Sequence, residues 1–257
     1  TLETRRRSAE DVEAQLEGIA LKLGLPAPPR RIECIDIAHH NQGRAVAAIS
    51  VITDGKPDSS GSRSFTIKTA KTGDDYGGMY EVLSRRFRRA KQAETNWELP
   101  DLLVVDGGRG QLEVARAARQ DVGIAAGDCP IVGLAKERAE RRTSKGELTK
   151  EATIERVYKA GRVNPISIRG TSPLLLLCHA RDEAHRLAGK LLAKHRKARS
   201  LHSELESIPG VGPRLRRTLL KEMGSLKAVK EAEVEDLMQI KGVGRSLAEK
   251  ITDHFRA

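Results

Sequence analysis

The feature that most restricts how this chain can fold is an internal repeat near its C-terminus. Leu205, Ile208, Gly210, Val211, Gly212, Leu215 and Leu219 recur as Leu237, Ile240, Gly242, Val243, Gly244, Leu247 and Ile251, all at one constant offset. Two copies are too few for a solenoid, so they are expected to form one compact all-α domain over 201–257. Each copy reads as the apolar end of one helix, a Gly-Val-Gly turn and the start of an amphipathic helix. The glycines admit backbone angles that other residues resist and let N–H groups approach a phosphate, while the following helix offers its positive dipole end. The valine between them is expected to plug the two helices together. Candidate phosphate contacts are Gly210, Val211, Gly212, Arg214 and Arg217 in the first copy, and Gly242, Val243, Gly244, Arg245, Ser246 and Lys250 in the second. A lone Gly-x-Gly serves equally well as a plain turn between helices. Duplication with matching apolar positions is what favours a grip on duplex backbone, of the kind that positions a protein without reading sequence.

Charge supports a polyanionic partner but places most of it elsewhere. The formal net charge is +11, whereas Ser200 to the end holds ten Lys or Arg against nine Asp or Glu. Clustered cations neutralise phosphates and release counterions, which makes nucleic acid the leading partner over an acidic protein or an anionic membrane surface. No apolar stretch approaches the roughly 20 residues needed to span a bilayer. Aromatic residues make up only 3% of the chain, which argues against a module that stacks single-stranded bases. Cys34, Cys129 and Cys178 are isolated and odd in number, so neither a disulfide framework nor a CxxC metal knuckle is available, and a reducing cytoplasm fits. The chain opens on Thr1 without an apolar signal core and is expected to be a piece of a longer protein.

Ahead of the repeat the pattern is mixed α/β. Val12, Leu16, Ile19 and Leu23 mark a short helix, and Pro26, Pro28 and Pro29 a stiff linker, so 1–30 is set apart from a domain over 31–200. Three strands follow, 32–38, 45–53 and 64–69, with short connections that suggest an antiparallel meander. Asp74 and Asp75 stand where a helix should begin, and Arg85, Arg86, Arg88, Arg89 and Lys91 form its basic end, a polarity that suits the helix dipole. Strand 102–105, a helix over 111–120 and strand 131–134 alternate as a parallel arrangement would. The charged stretch 136–170 is expected to be a loop or a hairpin insertion, and a long helix should run over 172–197.

Two carboxylates stand out against this frame. Asp36 lies inside the apolar strand Ile32-Glu33-Cys34-Ile35-Asp36-Ile37, and Asp106 closes Leu102 to Val105. If these strands are parallel neighbours, the carboxylates converge, as phosphodiester hydrolysis by hard divalent cations requires. Asp-Gly after a strand is also ordinary turn chemistry. Asp36 is harder to explain away, because an unpaired carboxylate among buried strand residues is costly. His185, on the long helix beside Ala184, Leu187, Ala188 and Leu191, belongs by periodicity alone to a solvated charged face.

The ordered blocks Asp36-Ile37-Ala38-His39, Gly73-Asp74-Asp75-Tyr76, Val105-Asp106-Gly107-Gly108-Arg109-Gly110-Gln111-Leu112, Gly133-Leu134-Ala135-Lys136-Glu137 and Arg181-Asp182-Glu183-Ala184-His185-Arg186 resemble the UvrC family, as does the tandem helix-hairpin-helix behind them. The likeness covers Arg31 to the C-terminus. It implies a ribonuclease H-like endonuclease domain with a Mg²⁺ or Mn²⁺ site built from Asp36, Asp106 and His185. It further implies the cut on the 5′ side of a DNA lesion in bacterial nucleotide excision repair. Asp75 matches a family carboxylate linked to the same incision, although a helix-cap role explains it equally. The implied partners are damaged duplex DNA and the UvrA-UvrB pathway, with the segment that binds the UvrB helicase upstream of this chain. A catalytically inactive DNA-binding scaffold is the competing reading; a sequence-specific regulator lacks a base-reading helix. The chain departs from the family at the turn His39-His40-Asn41-Gln42-Gly43, one residue longer than usual, and at Ser62-Arg63-Ser64, where Arg63 alone remains of a Tyr-Arg-Arg pattern. The linker between the long helix and the repeat is also expected to be short. Glu113 at the sixth position of the Gly108-Arg109-Gly110 run argues against a dinucleotide site, and the spacing of His39, His40, His179 and His185 fits no closed zinc set.

Overall fold

The computed structural model describes residues 2–38, 45–71, 73–142 and 148–256, and within them all side chains except those of 2–9, 138–142, 148–152, 195–203 and 206. The chain packs as two compact units, Thr1–Leu192 and Ala193–Ala257. The turn 39–43, which the sequence suggests is longer than usual by one residue, lies outside the described residues.

The first unit is a mixed sheet between two pairs of helices. Its elements are α1 (Leu2–Leu23), β1 (Arg31–Ala38), β2 (Val46–Thr53), β3 (Lys56–Pro57), β4 (Arg63–Thr66), α2 (Asp75–Lys91), β5 (Leu102–Asp106), α3 (Arg109–Val122), β6 (Ile131–Arg142), β7 (Leu148–Lys159), β8 (Ile166–Ile168) and the first part of α4 (Leu175–Glu206), whose residues from Ala193 belong to the second unit. The strand order is β3-β2-β1-β5-β6-β7-β8, with β4 also pairing β2. β1 and β2 are antiparallel, as the meander requires, while β5 runs parallel to both β1 and β6. This is the ribonuclease H-like mixed sheet that the resemblance implied.

Side chains alternate across a strand, so β1 and β5 each serve two cores. Ile32, Cys34, Leu102 and Val104 join α1 and α4 on one face through Leu16, Ile19, Leu177, Ala180 and Ala184. Ile35, Leu103 and Val105 join α2 and α3 on the other through Val82, Leu83, Phe87, Leu112 and Ala115. The N-terminal helix is therefore part of the first unit's core rather than a separate lead-in, because Leu16, Ile19 and Leu23 are almost fully buried against the sheet. The charged stretch after 135 is a hairpin: β6 and β7 pair antiparallel from Val132↔Lys159 to Arg142↔Leu148. Their surfaces need no apolar alternation, since only the first residues of β6 lie beside β5. α4 runs to Glu206 instead of ending near Lys197, so the expected linker is helix.

One basic residue of α2 is not on the surface at all. Arg86 is 2% exposed and forks both oxygens of Glu33, at 2.9 and 2.8 Å, while donating to the carbonyls of Trp97 and Glu98. Glu33 faces α2 because it is three residues before Asp36 and so on the opposite side of β1. Every guanidinium nitrogen thus has an acceptor, which is what makes a buried charge tolerable. Arg63 is likewise engaged within the fold: it stacks on Trp97 at 5.2 Å and donates to the carbonyls of Ser60, Ser62 and Asn96.

The second unit contains α5 (Pro213–Glu222), α6 (Leu226–Glu231), α7 (Val234–Met238) and α8 (Arg245–Arg256). Its core is the repeated apolar set, Leu205, Ile208, Val211 and Leu219 with Leu237, Ile240, Val243 and Ile251. Among the described residues no helix is long and apolar enough to cross a membrane.

Removing Arg86 strands a carboxylate in the core. Arg86→Met should lower unfolding free energy by about 3–5 kcal/mol in denaturant titration, whereas Glu33→Leu combined with Arg86→Met should cost far less.

Candidate functional site

The parallel register of β1 and β5 brings the two carboxylates together. Ile32↔Leu102 through Ile35↔Val105 are Cα partners, and one further step along the same register sets Asp36 beside Asp106. Both are even-numbered positions on strands whose even-numbered neighbours face α4, so both carboxylates point to the side from which His185 approaches. The Asp36 residue is 6% exposed. His185 Nδ1 lies 3.3 Å from Asp36 Oδ2, and the histidine side chain is otherwise open to solvent at 79%. Apart from this approach of His185, which itself favours the charged carboxylate, the buried Oδ2 meets no hydrogen-bond donor among the described residues.

Electrostatics agree with crowding. Burial pushes the Asp36 carboxyl above its ordinary range against the opposing pull of His185, and Asp75 adds a push in the same direction as burial. Burial also raises Asp106, with the charge of Asp36 next in importance, while Arg181 and His185 pull it back. A buried carboxylate beside a half-buried one, with an oxygen short of donors, forms an arrangement that a hard divalent cation would neutralise. No three His, Cys, Asp or Glu side chains among the described residues are drawn together as a closed metal set. The fit therefore rests on the donor chemistry and on the orphaned Asp36 oxygen.

The turn that carries Asp106 is held by close backbone packing. Gly107 adopts φ +153° and donates to the Leu134 carbonyl at 2.9 Å. A Cβ on Gly133 would stand 2.7 Å from the Gly107 oxygen, so β6 can lie against this turn only with glycine there. Asp74, rather than Asp75, caps α2: its Oδ1 accepts from Gly77 N at 2.8 Å. Asp75 occupies the first turn and is close enough to influence Asp36. Glu81 fixes the segment before this helix end by accepting from Lys68 N, Thr69 N and Thr69 Oγ1. Burial works against its charge, but these donors outweigh burial and hold its pKa at about 2.

Sequence pattern did not single out Arg181 and Glu155. Arg181 is 6% exposed and grips both Glu155 oxygens on β7, at 2.6 and 2.9 Å. Burial opposes its charge, and the Glu155 and Asp182 contacts overcome this and raise its pKa. The hints in the sequence were its place at the head of the Arg181 to Arg186 block and its position one helical turn before His185.

In the second unit the two copies meet reciprocally. Gly210 and Gly242 have φ of +102° and +94°. A Cβ on Gly210 would lie 3.0 Å from Leu247 Cδ1, and one on Gly242 would lie 3.6 Å from Leu215 Cδ1, the equivalent leucine of the other copy. Val211 N and Val243 N each donate at 3.0 Å to the isoleucine three residues earlier. Both valines are nearly buried, at 4 and 6%. They are plugs that shape the turns, and the more exposed groups lie on either side of them. Gly212 and Gly244 face open space, and Arg214, Arg217, Arg245, Ser246 and Lys250 are all exposed. Arg217 donates to the Pro213 carbonyl, and Arg245 pairs with Glu249. Lys241, which the glycine pattern did not select, lines a depression with Arg214, Leu215, Thr218 and Gly242.

The chain is similar to known proteins over both units. The model of the UvrC ribonuclease H endonuclease domain matches residues 20–188, and that of a SAM-like helix-hairpin-helix tandem matches 203–257. The UvrABC system protein C of Geotalea daltonii is 40% identical over 98% of this chain and 39% of its own length. That of Citrifermentans bemidjiense is 43% identical over 93% and 37%. The chain thus spans well under half the length of these relatives. Among solved structures, the catalytic domain of human endonuclease V aligns with 77% of this chain and 98% of its own at 14% identity and a TM-score of 0.41.

A carboxyl whose pKa rises on folding holds its proton better in the folded state. Its stabilising contribution is present below the unfolded pKa and is lost as pH rises through the folded one. Asp106→Asn should therefore raise the melting temperature at neutral pH by a few degrees in the absence of divalent ions. The gain should shrink in acid, where the wild-type carboxyl is itself protonated; calorimetry across pH checks both.

Proposed function

Because the chain belongs to the UvrC family, we propose that it is a metal-dependent DNA endonuclease that makes the 5′ incision beside a lesion in nucleotide excision repair. The observation that carries this reading is the convergence of Asp36 and Asp106, with an orphaned carboxylate oxygen, under an exposed His185. Its partners are damaged duplex DNA and the UvrA-UvrB pathway, and its compartment is the cytoplasm. Contact with the UvrB helicase belongs to a segment upstream.

Asp36 and Asp106 would hold the cation, Mg²⁺ or Mn²⁺, with His185 as a third ligand or as the proton-transfer partner. When bound, such an ion lowers the pKa of a water and stabilises charge on a phosphoryl oxygen. The protein's own contribution is geometric. β1 and β5 fix two acceptors on rigid strands, so little reorganisation is needed at the moment of reaction. His185, with Nδ1 turned toward Asp36, leaves its other ring nitrogen free to face solvent and substrate, where it can deliver a proton to the departing oxygen. Asp75 sits near enough to tune the charge at Asp36.

The helix-hairpin-helix unit would grip duplex backbone through Gly212, Arg214, Gly244, Arg245, Ser246 and Lys250, with Arg217 beside them. Lys241 joins this set because it shares a depression with Arg214 and Gly242. A grip of this kind tolerates any sequence, as a repair nuclease requires.

Incision of a 5′-labelled, lesion-bearing duplex by the full-length parent with its partner subunits tests the reading. Asp106→Ala should reduce the 5′ cut by roughly a hundredfold or more while sparing the 3′ cut. Equal 5′ cutting by both proteins would make the chain a DNA-binding scaffold instead. Arg214→Ala with Lys241→Ala should weaken binding alike on unrelated sequences. It should also flatten the slope of log affinity against log salt by about 1 for every phosphate no longer neutralised.

A further inference from the structure

His185 is the most exposed member of the site, yet its value depends on where α4 places it. The sheet-facing side of that helix presents Ala180, Ala184 and Ala188, all fully buried. Small side chains let the helix lie close to the sheet but offer few ridges to interlock, so from Ala180 onward apolar packing, whose large members Leu176 and Leu177 lie a turn earlier, sets its position along the axis weakly. Two polar contacts, one buried and one partly buried, act at the point where that position matters. Ser50 Oγ on β2 donates to the Ala180 carbonyl at 2.6 Å, and Ser50 is itself fully buried. The next residue, Arg181, forks Glu155 on β7. In the sheet order, β2 adjoins β1 on one flank and β7 lies beyond β5 and β6 on the other. The anchors therefore straddle the two carboxylate-bearing strands, one turn ahead of His185.

We propose that Ser50 and Arg181 are positioning residues, a two-point clamp that sets the register of α4 and so holds the His185 ring over Asp36. The inference rests on the proposed nuclease reading and deepens it. Neither residue touches the reacting atoms in this account. Hydrogen bonds suit the task because they are directional: a helix displaced by even part of a turn breaks both, whereas an alanine seam would slide with little loss. An angstrom of misplacement at a reacting group can cost about a hundredfold in rate, so the clamp controls turnover and leaves DNA affinity alone.

The test uses the whole chain in three forms: Ser50→Ala, Arg181→Lys, and Arg181→Met with Glu155→Gln, the last avoiding a stranded carboxylate. Two quantities are read. One is the ¹⁵N resonance of His185 Nδ1, assigned with His185→Gln, which reports its proximity to Asp36 whether or not the chain cuts DNA. The other is single-turnover cleavage of a labelled duplex in Mn²⁺, with the dissociation constant measured alongside. The clamp predicts that Ser50→Ala and the Arg181→Met double variant shift the His185 resonance and slow cleavage about tenfold or more. Melting temperature and DNA affinity should stay near wild type. Arg181→Lys, which keeps the charge and one bond, should fall between. If the Arg181 variants fail to fold, Ser50→Ala, which removes a single oxygen, decides the matter. Folded variants with an unchanged His185 resonance would overturn the clamp. A wild-type chain and parent that do not cut would instead overturn the nuclease reading, and the resonance would still judge the clamp.

Discussion

Parallel pairing between β1 and β5 is the constraint on which the site depends. It is the step that converts two aspartates seventy positions apart in sequence into adjacent charges on one face of a sheet. A slip of one residue in either strand would turn that carboxylate toward α2 and α3 and away from His185. The register is defended from both sides. On the α2 face the Arg86–Glu33 pair ties β1 to α2, and a one-residue slip would separate a charge pair that has no access to water. At the end of β5, backbone contact between Gly107 and Gly133 leaves no room for a different seating of the turn.

The same sheet separates stability from chemistry. Glu33 and Asp36 are carboxylates on one strand, both buried, yet their surroundings differ. Glu33 is satisfied by arginines on the α2 face, and its role ends with the fold. Asp36 keeps an oxygen that, among the described residues, only His185 approaches, and it has a second carboxylate beside it. That crowding destabilises the folded chain at neutral pH, the usual relation between strained sites and function.

Much of this is legible in the sequence, and the reasons are specific. Asp36 can be found because it interrupts a run of apolar strand residues, and Asp106 because it terminates one. The repeat announces the second unit because matching glycines and aliphatic residues recur at one offset. His185 cannot be raised above a surface residue by periodicity, since exposure is what its helical position predicts; only resemblance to the UvrC family singles it out. Arg86 looks like part of a basic surface because its neighbours at 85, 88 and 89 are arginines, and burial by a distant glutamate leaves no local trace. The Arg181–Glu155 contact is invisible for the same reason: it joins a helix to a hairpin whose charged sequence carries no apolar alternation. The valines of the two turns are plugs, as their place between glycines suggests, and they are nearly buried there.

The central claim is that Asp36 and Asp106 together form a divalent-cation site. A crystal of the chain soaked in Mn²⁺, with anomalous difference density measured at the manganese edge, tests it most directly. The account predicts a peak between the two carboxylates, within ligand distance of Asp36 Oδ2, that vanishes in Asp106→Asn. Manganese bound only elsewhere, or a peak unaffected by that substitution, would contradict it.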